Sequence, residues 1–171
     1  TVGTLLILPD YPLGETIFDA INHAMSGQAT GGFSTLDDSI AGYQSPAMEL
    51  LFLLPMFLGA LSFPFFYELA QTKDIRLFWR DIQTRSFLIS CVIGSALLAL
   101  LLSHVDTVPN PIREGVFQFV SSLSTTGWKT SNINDWDDNS ILFITFCAMV
   151  VGGAAGATVG GIAGRGVWGG T

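Results

Sequence analysis

One short pattern occurs twice in the chain, 95 residues apart. The copies are Ser26-Gly27-Gln28-Ala29-Thr30-Gly31-Gly32-Phe33-Ser34-Thr35 and Ser121-Ser122-Leu123-Ser124-Thr125-Thr126-Gly127-Trp128-Lys129-Thr130. Aligned on Gly32 and Gly127, Ser26 matches Ser121, Thr30 matches Thr125, Thr35 matches Thr130, and an aromatic follows each anchoring glycine. Each copy follows a helix-like stretch and precedes a long apolar run. Met56-Phe57-Leu58-Gly59 and Met149-Val150-Val151-Gly152 also correspond, 93 residues apart, so the turn between motif and run is two residues shorter in the second copy. Internal repetition of this kind marks a fold built from duplicated units, common among transport proteins.

The apolar runs place these units in a membrane. The 171 residues are 49% hydrophobic and only 12% charged, with a mean hydropathy of +0.51. From Ser86 to Ser103 the only ionisable side chain is Cys91, and from Asn139 to Gly164 it is Cys147. Both runs reach the roughly 18 residues expected of a spanning helix. Pro46 to Tyr67 forms a third candidate, interrupted by Glu49 near its start. Lys73, Arg76, Arg80 and Arg85 lie in the short link between the first and second of these runs, which the positive-inside rule assigns to the cytoplasm. Asp10, Glu15, Asp19, Asp37, Asp38, Asp106, Glu114, Asp135, Asp137 and Asp138 then fall on the opposite side, where they would concentrate cations. A net charge of −7 argues against nucleic acid. Two cysteines inside apolar runs make no disulfide framework. The opening Thr1 to Leu8 has no signal-peptide pattern and reads as the tail of a helix begun earlier.

The expected fold is an all-α membrane protein of repeated units, each a span, a re-entrant pore helix, a filter loop and a span. Residues 1–70 form one unit with its opening span truncated, 71–85 a cytoplasmic link, and 86–171 a second unit. The helix-like stretches Glu15 to about Ala29 and Pro111 to about Ser124 are too short and polar to cross a bilayer, so each must dip in and return. Irregular backbone at membrane depth is tolerated only where protein or a water-filled cavity covers it, and the glycine motifs are that backbone. A dehydrating cation needs its lost water replaced, which convergent backbone carbonyls can do. Aiming successive carbonyls at one point requires unusual dihedrals, including positive φ, which glycine adopts at least cost. Gly31, Gly32 and Gly127 fit that need, and Thr30 and Thr125 add hydroxyls. A short helix ending at the motif turns its negative end toward the cavity. An oxygen-only ligand set suits a hard alkali ion.

Gly152, Gly156, Gly160 and Gly164 recur every four residues, which can be a packing stripe or an unwound intramembrane segment. A dinucleotide-binding turn over Phe146 to Gly161 has poor spacing and no following acidic residue. His23 and His104 lack partners at ligand spacing, so an enzyme is not expected.

Phe18-Asp19-Ala20-Ile21 with Ala29-Thr30-Gly31-Gly32-Phe33-Ser34-Thr35 is similar to the second repeat of the Trk/Ktr/HKT superfamily of potassium transporters. Ser124-Thr125-Thr126-Gly127-Trp128 with Gly152-Gly153-Ala154-Ala155-Gly156-Ala157-Thr158-Val159-Gly160-Gly161-Ile162 resembles the third repeat of the Trk type. The resemblance covers nearly the whole chain. It implies potassium uptake across a bacterial or archaeal inner membrane by a multi-pass subunit of four repeats around one pore. It also implies a cation-binding filter of Ala29, Thr30, Gly31, Gly32, Thr125, Thr126 and Gly127, and a gate at Gly152, Gly153, Gly156, Thr158, Gly160 and Gly161. K+ is the transported ion and no cofactor is expected. The implied partners are the remaining repeats of the same subunit, a second subunit in a homodimer, and a cytosolic nucleotide-binding regulator. Trp128 replaces the family's usual Phe, Lys129 stands where a neutral residue is usual, and Ala163 to Gly170 departs from the pattern. The alternative is a membrane structural or interaction module whose glycines pack helices.

Overall fold

The computed structural model describes residues 12–147, which are helical and contain no strand. In chain order the helices are α1 (Leu13–Gln28), α2 (Pro46–Gly59), α3 (Phe63–Thr72), α4 (Leu77–Arg80), α5 (Ile82–Leu102), α6 (Pro111–Leu123) and α7 (Asp138–Phe146). Short 3-10 turns at Ser39–Tyr43 and Ile133–Asp135 occupy the connections that follow the two glycine motifs. The expected gate, from Gly152 to Gly161, lies outside the described residues, as does most of the Asn139 to Gly164 run.

The chain marks its own helix starts. Pro46 and Pro111 occupy the first turns of α2 and α6, where the missing N–H is not needed and the fixed φ is already helical. Asp81 caps α5 by accepting the Thr84 N–H at 2.7 Å, and Asp137 caps α7 by accepting the Asn139 N–H at 3.2 Å. The 21 residues of α5 are the single unbroken helix among the described residues that is long and apolar enough to cross a membrane.

The Pro46 to Tyr67 run does not form one straight span. It breaks between Gly59 and Phe63, and the axes of its two halves differ by 95°. Hydropathy alone reads through this break. The physical reason for it is Pro64, which has no N–H to continue the ladder and is accepted only in a first turn, so the helix must restart there. Gly59 has a second use at the same place. A Cβ on it would stand 2.5 Å from the Gln28 carbonyl oxygen and 2.7 Å from that of Gly27, so only glycine lets α2 pass the end of α1.

In the second unit, α5 and α6 form the most extensive helix pair of the described structure. Two glycines make the approach possible. A Cβ on Gly94 would run into the Phe119 ring, and one on Gly115 would lie 2.8 Å from the Ala99 nitrogen. The core joins both units, with Met48, Phe52 and Met56 of α2 meeting Phe117, Val120, Leu123 and Trp128 of the second copy. Because the Ala99 backbone cannot give way, Gly115→Val should destabilise the subunit by about 1–3 kcal/mol. Thermal unfolding in detergent would show it, and an unchanged midpoint would contradict this packing.

Candidate functional site

The two motifs adopt one backbone geometry. α1 ends at Gln28 and α6 at Leu123, positions 95 residues apart, so both short helices stop at the same point of the repeat. After α1, the Thr30 N–H reaches back to the Gly27 carbonyl at 3.2 Å and the Gly31 N–H to Ser26 at 2.8 Å. After α6, the Thr125 N–H reaches Ser122 at 3.0 Å and the Thr126 N–H reaches Ser121 at 2.9 Å. This paired pattern is a Schellman cap, which places one left-handed residue just past the helix.

Glycine normally takes that left-handed position. Here Thr30 (φ 49°) and Thr125 (φ 60°) hold it, followed two residues later by Gly32 (φ 71°) and Gly127 (φ 80°). The expectation that Gly31 also needs positive φ is not met; the alternation runs through threonine and the last glycine. A β-branched residue at positive φ is disfavoured by about 1–3 kcal/mol. Alternating the sign of φ turns successive carbonyls to a common side, which an extended strand does not do. Cap formation uses the N–H groups of Thr30, Gly31, Thr125 and Thr126. Among the described residues, no hydrogen bond is donated to the carbonyl oxygens of Thr30, Gly31, Gly32, Thr125, Thr126 or Gly127. The arrangement is a pair of short oxygen-lined turns, spent on the donor side and open on the acceptor side.

The turns touch each other. A Cβ on Gly32 would collide with the Thr126 carbonyl, so the absence of a side chain allows that approach. Around Gly127 no described residue other than its chain neighbours comes within 4 Å of the corresponding position. Trp128 then crosses from the second copy into the first. Its indole N–H donates to the Phe33 carbonyl at 3.0 Å, and its ring packs on His23 and Phe52, with centroids 5.7 and 5.5 Å away. Gly27 leaves room for it, since a Cβ there would be 2.8 Å from the indole edge. Two backbone contacts extend this seam: the Lys129 N–H donates to Ser39 Oγ at 3.2 Å, and the Ala41 N–H donates to the Lys129 carbonyl at 3.1 Å. The Lys129 main chain thus ties the two copies together while its side chain is exposed.

Side chains of the short helices hold the segment leaving each turn. His23 Nδ1 lies 2.8 Å from the Asp19 carbonyl and Nε2 lies 3.0 Å from Ser34 Oγ. With Nδ1–H donating to the carbonyl and Nε2 accepting the hydroxyl proton, the ring is neutral. Burial pushes its pKa below the ordinary value, against the opposing influence of Asp19. Gln118, at the equivalent place in the second copy, donates to Thr130 Oγ1 at 3.5 Å. Asp19 and Glu114, also equivalent, are buried rather than facing water as their charge had suggested, and Asp19 accepts the Tyr43 hydroxyl at 3.1 Å. Arg113 of α6 pairs with buried Glu49 of α2, Nε to Oε2 at 2.8 Å, giving a further bridge between the units. The Asp19/Glu114 and His23/Gln118 equivalences extend the repeat upstream of the glycine motif, where dissimilar side chains conceal it.

Three outcomes test this geometry. Thr125→Gly should hold or raise thermal stability because glycine relieves the left-handed strain, so a large loss would mean the cap is misassigned. Trp128→Phe should cost about 1–3 kcal/mol by stranding the Phe33 carbonyl, read as a lower unfolding midpoint. His23→Gln should flatten the acid side of a stability profile. The native ring's contribution is complete above about pH 6.5 and lost as the pH falls, because the unfolded imidazole binds its proton more readily; equal profiles would refute that.

Residues 10–165 match the family model described as TrkH, cation transport protein. The chain is 29% identical over 155 residues to the Trk system potassium uptake protein TrkH of Salmonella typhimurium, covering 87% of this chain and 31% of that protein. It is 32% identical over 152 residues to the Halomonas elongata protein of the same name, with the same coverages. An uncharacterized cation transporter of Methanocaldococcus jannaschii is 33% identical over 161 residues, covering 94% of this chain and 31% of its own length. The crystal structure of the potassium transporter TrkH from Vibrio parahaemolyticus matches with a TM-score of 0.70 at 29% identity, over 76% of this chain and 29% of that one. The chain therefore spans about a third of the length of these relatives. It belongs to the TrkH family of cation transport proteins, with that family's all-helical membrane fold.

Proposed function

We propose that the two units supply two of the turns lining a cation pore, and that the whole subunit takes potassium across a cell membrane through that pore. The observation that carries this reading is the duplicated left-handed cap, with Thr30 and Thr125 in a strained conformation and unengaged carbonyls beyond them. Strain that recurs at matched positions has to be held by the surrounding fold, and a site that needs those oxygens is a physical reason to keep it. The relatives' names, which specify potassium uptake, support the choice of ion.

In this mechanism the carbonyls of Ala29, Thr30, Gly31, Gly32, Thr125, Thr126 and Gly127 replace part of the hydration shell of K+. The negative ends of α1 and α6 add to the attraction. Two turns make only part of a ring, so conduction needs the remaining repeats of the same subunit. The gate is assigned to the glycine-rich segment Gly152, Gly153, Gly156, Thr158, Gly160 and Gly161. A homodimer and a cytosolic nucleotide-binding regulator complete the proposed assembly in a multi-pass inner-membrane setting. No catalytic step is proposed.

The competing idea, that the glycines only pack helices, describes Gly59, Gly94 and Gly115 well. It does not explain why threonine holds the left-handed position twice. The decisive experiment is K+ and Na+ flux through the full-length subunit carrying Gly127→Ser. Discrimination between the ions should fall by roughly tenfold or more, equivalent to about 1.4 kcal/mol. Unchanged discrimination would sink the filter assignment.

A further inference from the structure

Phe33 and Trp128 stand at equivalent places, each directly after the left-handed glycine of its turn, and their surroundings are opposite. Trp128 is 1% exposed and Phe33 is 81% exposed. The Trp128 indole lies on the copy that precedes it in sequence: it packs on His23 and beside Gly27 of the short helix, on Phe52 of the helix after the motif, and donates to the Phe33 carbonyl. The Gly32 contact lies across the same seam, with the second copy's Thr126 carbonyl against the first copy's glycine.

When the second unit passes its aromatic side chain to its predecessor, the first unit is left with the equivalent aromatic, Phe33, at its own outer boundary. We propose that Phe33 docks into a further unit of the same polypeptide, encoded before this segment, in the crevice between that unit's short helix and its following helix. This rests on the ring of repeats proposed above. Three observations commit the surface to that occupant. The internal repeat preserves backbone geometry from Ser26 to Gly32 and from Ser121 to Gly127. The equivalent aromatic is fully buried in such a crevice. The relatives extend well beyond the matched third of their length. A phenyl ring has no N–H, so the Phe33 contact would be purely apolar, unlike that of Trp128. Its role would be to hold the Thr30–Gly32 turn at the ring position that the Trp128 seat gives to Thr125–Gly127.

The test uses the full-length subunit in native membranes with the photoreactive residue benzoylphenylalanine at position 33, and separately at position 128. Position 128 should crosslink to peptides containing His23 or Phe52. Position 33 should crosslink to a peptide of the same polypeptide lying before this segment. Capture of lipid, of a second subunit, or of sequence after Thr171 would overturn the proposal. Failure to crosslink at position 33 while position 128 reacts would do the same. As a second readout, Phe33→Ala should reduce K+/Na+ discrimination and Phe33→Trp should retain it; equal discrimination in both overturns the positioning role. A Gly127→Ser subunit with altered selectivity alongside a misplaced Phe33 crosslink would remove this docking alone and leave the filter assignment standing.

Discussion

The buried indole of Trp128 is the contact on which the rest of the described structure depends. It belongs to the second copy yet lies on His23 and Phe52 of the first, and its N–H engages the Phe33 carbonyl. Truncating so large a buried side chain typically costs about 3–5 kcal/mol. Here it would also release the two glycine turns from one another, since Gly32 meets Thr126 at the same seam. The bonds from Lys129 to Ser39 and from Ala41 to Lys129, and the Arg113–Glu49 pair, secure the edges of that contact. Two chain segments 95 residues apart in sequence are thereby held as neighbours.

Within each turn the backbone has an unequal division of labour. The helix cap takes the N–H groups, and the carbonyls beyond it accept no hydrogen bond from the described residues. Threonine in the left-handed position is strained where glycine would have been easier. That strain falls on the turns proposed to line a cation path. The packing glycines are of another kind. Gly59, Gly94 and Gly115 lack positive φ and exist to let backbones and rings approach.

The helices around the turns follow the same economy of polar groups. α5 carries no charged residue after Arg85, while α6, which packs against it, carries Glu114, Gln118 and Ser121 in buried positions. A short helix with buried polar side chains is stable only when those side chains find partners, and several here bond to the segment leaving the turn. Ser121 donates to the Trp128 carbonyl at 2.7 Å, and His23 and Gln118 hold Ser34 and Thr130. The short helices therefore act as pegs to which the turns are tied.

Much of this plan is present in the order of residues. The repeat of Ser26–Thr35 in Ser121–Thr130, the apolar run of α5, and the Asn-Pro start of α6 each follow from local chemistry: side-chain type, hydropathy and proline's missing N–H. Local chemistry also contained the Pro64 break in the third apolar run, although an average over hydropathy conceals it. Other features depended on which residues meet. Threonine rather than Gly31 takes the left-handed position because the cap bonds donated to the Ser26 and Gly27 carbonyls select the residue two places after the helix. Asp19 and Glu114 are buried because Tyr43 and the neighbouring helices cover them, which no charge pattern encodes. Trp128 and Phe33 are equivalent in sequence and opposite in exposure. Sequence by itself determined that the chain carries two like units with a glycine-bearing turn in each. Only tertiary structure decided that they share a seam, because burial is a property of the neighbours that a side chain finds.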